Sequence, residues 1–518
     1  MKPSLLRSKT LALLLAGVVS LSAAGCAEAP TQAPTQADDK KVTLLYTFKT
    51  GSLDPNNGST PLRAGITETL VKLGSDLSLE GWLAEKWEAT NETTWVFTIR
   101  EGVTFHDGTK ADAAAVKASF ERGIAASEAL AGALKIESME AAGQTLTIKT
   151  TEPYPALPSE LVNPSASVIS VQAEQKMGKE AFNNAPVGTG PFKVKKFEPN
   201  VEVQLERYDG YWAGTPKLKE ASFKFNEDAN VRALALQSNE ADIVYNLPAE
   251  SIDAIKSNKS LRIESVPGLR AHYILYNYQR PLLQDLKVRQ AMNYLLDRES
   301  IAKDIMLGNA VPANGPFNSK LPFGSKDPAD GADLAKAKAL LADAGYTAGA
   351  DGKLLKDGKP LALELITYKG RPELPLIAQM LQSDAAKAGI TVTIKTVENV
   401  DAYLKDNKDW DMATYSNLTA PRGDGGYFLN SAFTPEGSLN ASKISITRLS
   451  DMIKQLNATS DTAGRVKLTQ EAVSVINQEV PHSYGVYPNI IVGVNNRIEG
   501  WTPGGEEYYM LTHTMDVK

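Results

Sequence analysis

Two periodicities divide the chain. Thr94-Trp95-Val96-Phe97-Thr98-Ile99 alternates polar and apolar positions, as do residues 146–150, 201–205 and 390–394. This alternation predicts strands with one buried face. Helical spacing marks other segments. Asp333 is placed to cap a helix carrying Leu334, Ala337, Leu340, Leu341 and Ala344 on one side, and Gly345 stops it. Residues 112–122 repeat the pattern with Ala115, Val116, Ser119 and Phe120. The clearest unit spans residues 361–397. A strand with Leu361, Leu363 and Leu365 inward is followed by a loop with Pro372 and Pro375. A helix over about 376–388 ends at Gly389, and a second strand starts at Ile390. A strand, a helix and a strand in this order predict a parallel pair with a crossover helix. Strands and helices mix throughout, so the class is α/β or α+β.

The first residues break this pattern. Lys2, Arg7 and Lys9 precede an apolar run over residues 11–21. That run is shorter than the roughly 20 residues a membrane-spanning helix needs. A basic leader, a short apolar core and small residues read as a secretory signal over residues 1–25. Leu21-Ser22-Ala23-Ala24-Gly25-Cys26 resembles a lipoprotein cleavage site, although that pattern favours a larger aliphatic residue where Ala23 stands. The resemblance implies cleavage before Cys26 and a diacylglycerol on its sulfur. Cys26 is the one cysteine in 518 residues, so no intrachain disulfide and no thiolate metal site are expected. Residues 26–40 contain Ala-Pro-Thr-Gln twice and no large apolar side chain, which predicts a lipidated, disordered tether.

Residues 41–518 are too many for one ordinary domain and suggest two or three, at about 100–200 residues each. Hydrophobic content of 42% and charged content of 22% fit a folded globular body. A net charge of −6 gives no basic footprint for nucleic acid.

Ordered motifs then identify a family. Trp82-Leu83-Ala84-Glu85-Lys86-Trp87 leads into residues 94–108, ending Phe105-His106-Asp107-Gly108. Pro186-Val187-Gly188-Thr189-Gly190-Pro191-Phe192, Tyr208-Asp209-Gly210-Tyr211-Trp212 and Arg232-Ala233-Leu234-Ala235-Leu236 follow. The series closes with residues 285–294 and Asp297-Arg298. Over its whole mature length the chain resembles the peptide/nickel/opine solute-binding proteins, family 5. The resemblance implies an α/β, two-lobed periplasmic-binding-protein-like fold of the type II, peptide/nickel-binding class, with an extra subdomain in the N-terminal lobe. The lobes would be residues 41–274, residues 275–488, and a return of residues 489–518 to the first. Ligand capture would occur by hinge closure. Delivery would be to an ABC permease and its ATPase, by a monomer anchored outside the cytoplasm, at the cell surface or in the periplasm. No cofactor is implied. Trp95, Phe97, Phe105 and Trp212 are expected in the core, and Gly188, Gly190 and Gly210 are expected to supply turns with positive φ.

Ligand residues in this family lie on loops at the cleft rim, and residues 415–428 align with one. In nickel-chelate members this loop region carries a Trp, a Tyr and a downstream His. Those positions correspond here to Leu418, to Arg422 and to no histidine. In dipeptide-binding members it carries an aspartate, which corresponds here to Pro421. Arg422 is therefore the informative departure, because a guanidinium can grip a carboxylate bidentately. It is a candidate clamp, or alternatively a solvated loop arginine or an ion-pair partner of Asp424. Arg63 faces the cleft in the family and is the second candidate. Tyr415, Tyr427, Arg371 and Trp501 complete the set. The histidines His106, His272, His482 and His513 show no metal-ligand spacing. No protein-made metal site is expected, although His482 could reach a chelate.

These features favour a small polar ligand such as a nickel chelate, a metallophore or an opine, with dipeptides or oligopeptides as the alternative. An extracytoplasmic hydrolase is the competing class. Against it, the chain has no Gly-x-Ser-x-Gly, no His-Glu-x-x-His and no P-loop. A receptor on the same fold is a third option.

Overall fold

One long sheet organises residues 40–518, the residues described in this computed structural model. The leader, Cys26 and the tether up to residue 39 lie outside the described residues. Twelve strands join in that sheet, which has two wings. The first wing runs Phe192–Glu198, Glu202–Arg207, Glu220–Phe225, Lys41–Tyr46 and Ile243–Tyr245. The second runs Arg270–Tyr276, Met412–Leu418, Ala362–Tyr368 and Thr391–Val397. The strand His482–Asn495 belongs to both. Its first residues pair with Arg270–Tyr276 and its last with Leu261–Pro267 and Ile243–Tyr245. The chain also passes between the wings through Gly268 and Leu269, which link Leu261–Pro267 to Arg270–Tyr276. Each wing with its helices is one lobe of an α/β fold, and two short crossings are all that joins them in the chain.

The unit expected over 361–397 is present. Ala362–Tyr368 pairs in parallel with Thr391–Val397 through the crossover helix Glu373–Lys387. Leu361, Leu363 and Leu365 are buried as expected. The helix starts before residue 376 because both prolines fit its start. Pro372 caps it and Pro375 falls in the first turn, where backbone N–H groups have no helical acceptor. Asp333 accepts from Lys336 N at 2.8 Å and caps Leu334–Asp343. Leu334 itself is exposed, because the apolar face begins at Ala337.

The extra subdomain of the N-terminal lobe is an antiparallel sheet in the order Ala84–Asn91, Thr94–Ile99, Thr145–Thr150, Ile136–Ala142. Phe97, Leu146 and Ile148 share a core with Val116 and Phe120 of the helix Ala113–Ala126. Each such buried side chain contributes about 1.5–3 kcal/mol. Gly188 and Gly190 do not have positive φ. They are glycines because a Cβ would lie 2.2 Å from the carbonyl oxygens of Ile66 and Gly65 respectively. Gly210 is likewise outside the left-handed region, and its Cβ would meet the Tyr208 ring. His106 ties these motifs together: its Nε2 lies 3.0 Å from Gly190 O, and its ring meets Tyr208 edge-on.

Candidate functional site

Charged groups from separate segments converge on Tyr46, the last residue of its strand. Arg63 ends the short helix Thr60–Arg63 and lies 4.8 Å from the Tyr46 ring centroid. Its Nε donates to Glu507 O at 3.0 Å. The Tyr46 hydroxyl is buried and has no hydrogen-bond partner among the described residues. Burial pushes its pKa up; Arg63, Arg371 and Arg270 pull it down, and Glu507 adds to the rise.

Arg270 opens the strand that leaves the hinge, and its Nη1 donates to Ser416 Oγ at 3.2 Å. Burial lowers its pKa to about 10, and the neighbouring Arg371 acts in the same direction. Arg371 lies on the loop between Ala362–Tyr368 and the crossover helix. Neither arginine has a carboxylate within ion-pairing distance among the described residues. Three guanidiniums from both lobes thus share one region with an unpartnered phenol. Arg270 was missed in the sequence because it opens a strand whose remaining positions are mostly apolar. Its signal was the pair of polar positions Arg270 and His272 in the run Leu269-Arg270-Ala271-His272-Tyr273.

His272 is buried, with Nε2 2.7 Å from Glu373 Oε1. Burial lowers its pKa in spite of that carboxylate. Tyr415 is half-buried against Tyr273, with ring centroids 5.7 Å apart, and its hydroxyl donates to Asp401.

Arg422 stands in a second group. It forms an ion pair with Glu160 and lies 4.9 Å from the Tyr427 ring centroid. The Asp424 pairing considered from the sequence does not form, because Arg465 holds Asp424 at 2.7 and 2.9 Å. Tyr508 lies between the two groups electrostatically. Burial raises its phenol to about 12, with Arg63 and Arg422 pulling it down. Trp501 is a core residue, edge-on to Tyr245 at 6.4 Å in the same apolar cluster as Tyr46. His482 cannot reach a chelate in the cleft. It is fully enclosed by Tyr273, Phe433 and Tyr484, and burial lowers its pKa to about 3. Among the described residues, no cluster of three or more His, Cys, Asp or Glu could hold a metal ion.

Similarity to known proteins agrees with this architecture. Residues 78–440 match the family model described as bacterial extracellular solute-binding proteins, family 5 Middle. The chain is 33% identical over 513 residues to the nickel-binding protein NikA of Staphylococcus aureus, covering 99% of this chain and all of that one. It is 28% identical to a dipeptide-binding protein of Escherichia coli, over 87% of this chain and 88% of that one. A nickel ABC transporter structure from Bacillus halodurans superposes with a TM-score of 0.85 at 43% identity, covering 92% of this chain and 100% of that one. The Staphylococcus aureus NikA structure in complex with Ni(L-His)2 superposes with a TM-score of 0.74 at 33% identity, with the same coverage. The chain belongs to the bacterial extracellular solute-binding proteins of family 5 and acts as the extracytoplasmic solute-binding component of an ABC importer.

Proposed function

We propose that this protein captures nickel as a carboxylate-bearing chelate, with histidine or an opine-like molecule as the chelator. The observation that carries this reading is the convergence of Arg63, Arg270 and Arg371 around Tyr46. Guanidiniums hold carboxylates bidentately and remain charged when half-buried. The chelator's carboxylates meet the arginines, and its nitrogens hold the metal. The four histidines of this chain are committed to other contacts. His106 bonds Gly190, His272 meets Glu373, His482 is in the core, and His513 packs on Tyr211. The relative crystallised with Ni(L-His)2 supports the choice of chelate. Arg422 and Tyr427 serve the closed arrangement of the lobes, since the carboxylate that Arg422 holds is Glu160. Tyr415 flanks the site, and Trp501 supports Tyr46 from the core.

The lobes divide at residues 268–269, a few residues before the boundary at 274 expected from the sequence, and at 488, and residues 489–518 return to the first. The shared strand His482–Asn495 and the link at Gly268 support that division. Lipid on Cys26 and a tether over residues 26–40 hold the protein, as a monomer, at the outer face of the membrane beside its permease and ATPase.

Isothermal titration calorimetry with nickel plus L-histidine, nickel alone, L-histidine alone and a dipeptide tests the ligand. Saturable binding is expected only when nickel and histidine are both present. Saturation by the dipeptide instead would replace the chelate reading with peptide capture.

A further inference from the structure

A cavity of about 460 Å³ is lined by both lobes, and Arg63, Arg270 and Arg371 are not among its lining residues. On the N-terminal side Trp87, Trp95, Pro155 and Pro158 line it; on the other side Pro322, Phe323 and Val466 do. Its size falls in the range of small-molecule pockets, roughly 300–1,000 Å³. The charged groups in its lining are largely committed to other protein atoms. Asp424 is held by Arg465 and by Gly426 N at 2.7 Å, and Asp461 caps the helix Thr462–Glu479 by accepting from Gly464 N at 2.6 Å. Arg465 also donates to the carbonyls of Leu456 and Thr459. What the lining offers is ring faces and hydroxyls. Trp87 is stacked on Phe97 at 6.5 Å, so its indole is held in place.

The Arg422–Glu160 pair adjoins this cavity. Their sequence neighbours Gly423 and Ser159 line the cavity, whereas Arg422 and Glu160 do not.

We propose that the cavity is a second binding site, which takes a neutral small molecule built around an aromatic ring. An anionic ligand would find no free cation among the described lining residues, and a cationic one only Glu88, which is exposed to solvent, whereas an aromatic ring gains apolar burial and ring contacts with two tryptophans. Because each lobe supplies half of the lining, a molecule in the cavity favours the closed arrangement, and its binding is coupled to hinge closure. This inference goes beyond the chelate reading and does not depend on it.

Fluorine NMR of fluoroindole titrated into the purified protein tests the site. The expected result is a saturable shift and broadening that weakens at least tenfold in Trp87→Ala. The same weakening is expected in Val466→Trp, which fills the cavity from the opposite wall. Val466→Trp should keep the cooperative thermal unfolding of the unaltered protein, which shows that it folds. A response that does not saturate, or that is equal in both variants and the unaltered protein, overturns the site. Fluoroindole binding without nickel–histidine binding leaves the cavity standing and removes the chelate reading; the reverse result removes the cavity alone.

Discussion

Arg422 and Glu160 form an ion pair across the cleft, between the loop after Met412–Leu418 in one lobe and the end of the helix Leu157–Glu160 in the other. Both side chains are largely buried, at 19% and 8% exposure. Hinge opening must separate them. Removing one member of a buried pair costs on the order of 3–5 kcal/mol where the other stays buried. Here the protein can instead open and hydrate the orphan, so the cost appears as a shift toward the open form. Glu160→Gln is expected to raise the radius of gyration of the ligand-free protein in small-angle scattering. It should also weaken ligand binding about tenfold, through a smaller closed fraction. The double variant with Arg422→Gln should lose less than the two single losses combined. An unchanged radius and affinity in Glu160→Gln would detach the pair from the hinge.

The arginine cluster predicts a different pattern. Arg270→Met keeps the buried stem and removes the charge. Arg371→Ala removes a charge from the loop. Each is expected to weaken nickel–histidine binding by tenfold or more, in line with roughly 1.5–3 kcal/mol for a charged hydrogen bond. Ligand-free stability should hold or rise in either variant, because Arg270 and Arg371 repel each other. Calorimetry and thermal melts on the same samples separate the two effects. Loss of stability together with unchanged affinity would make the arginines structural.

The sequence carried local order well and long-range partnership poorly. The parallel unit over 361–397 was readable because Leu361, Leu363 and Leu365 alternate and Gly389 ends the helix. The bonding of Asp333 to Lys336 N is equally local. Arg63 stood out because the family resemblance puts its segment at the cleft, and Arg371 only completed the set. Arg270 did not, since a strand hides its neighbours until the register with Ser416 is known. The partner of Arg422 was unreadable for the same reason: Asp424 is two residues away, yet the fold gives Asp424 to Arg465 and brings Glu160 from the other lobe. Gly188 and Gly190 were recognised as constrained, but close packing under Ile66 and Gly65 was mistaken for turn geometry.

That packing gives a paired prediction. A Cβ at Gly190 would sit 2.2 Å from the Gly65 carbonyl oxygen, which is backbone and cannot swing away. Gly190→Ala is expected to cost about 2–4 kcal/mol. Gly132 lies inside the helix Glu128–Leu134 with open space around its Cβ position. Gly132→Ala should stabilise the protein by about 0.5–1 kcal/mol. Urea melts of both variants check the contrast, and equal effects would refute the steric account.

Arg289 predicts that geometry matters as well as charge. It is buried, and its guanidinium donates to four carbonyls: Val480 at 3.1 Å, Leu283 at 2.8 Å, Gln284 at 3.0 Å and Glu479 at 2.8 Å. Glu479 and Val480 end the helix Thr462–Glu479, whose C-terminal carbonyls carry negative partial charge. A lysine has the same charge but cannot span this fork. Arg289→Lys is therefore expected to lose about 3 kcal/mol, through unmet buried carbonyls. A denaturation midpoint within error of the unaltered protein would show that charge alone suffices.

Glu68 sets the pH dependence of stability. It is fully buried and accepts from Thr189 Oγ1 at 2.8 Å, Tyr211 OH at 2.7 Å and Trp212 Nε1 at 3.0 Å. It thereby joins two of the sequence motifs to the first lobe. Burial raises its pKa to about 7; the three hydrogen bonds and Lys72 act against the rise without cancelling it. In the unfolded chain a glutamate titrates near its ordinary value of about 4.3. The folded state therefore holds this proton more tightly, and the Glu68 contribution is fully present below about pH 4.3. It is lost as pH rises to about 7 and is constant above that, with a slope of about 1.4 kcal/mol per pH unit at most. His106 and His482 have lowered values and act oppositely below about pH 6.5, so the comparison must be made against a variant. Glu68→Gln keeps an acceptor for Thr189 and Trp212, offers Tyr211 a donor, and cannot ionise. Between pH 5 and 8 the unaltered protein should lose stability relative to Glu68→Gln, and the gap should level off near neutrality. Parallel stability curves for the two proteins would mean that Glu68 holds the same charge throughout that range, and that the hydrogen bonds from Tyr211, Trp212 and Thr189 outweigh its burial.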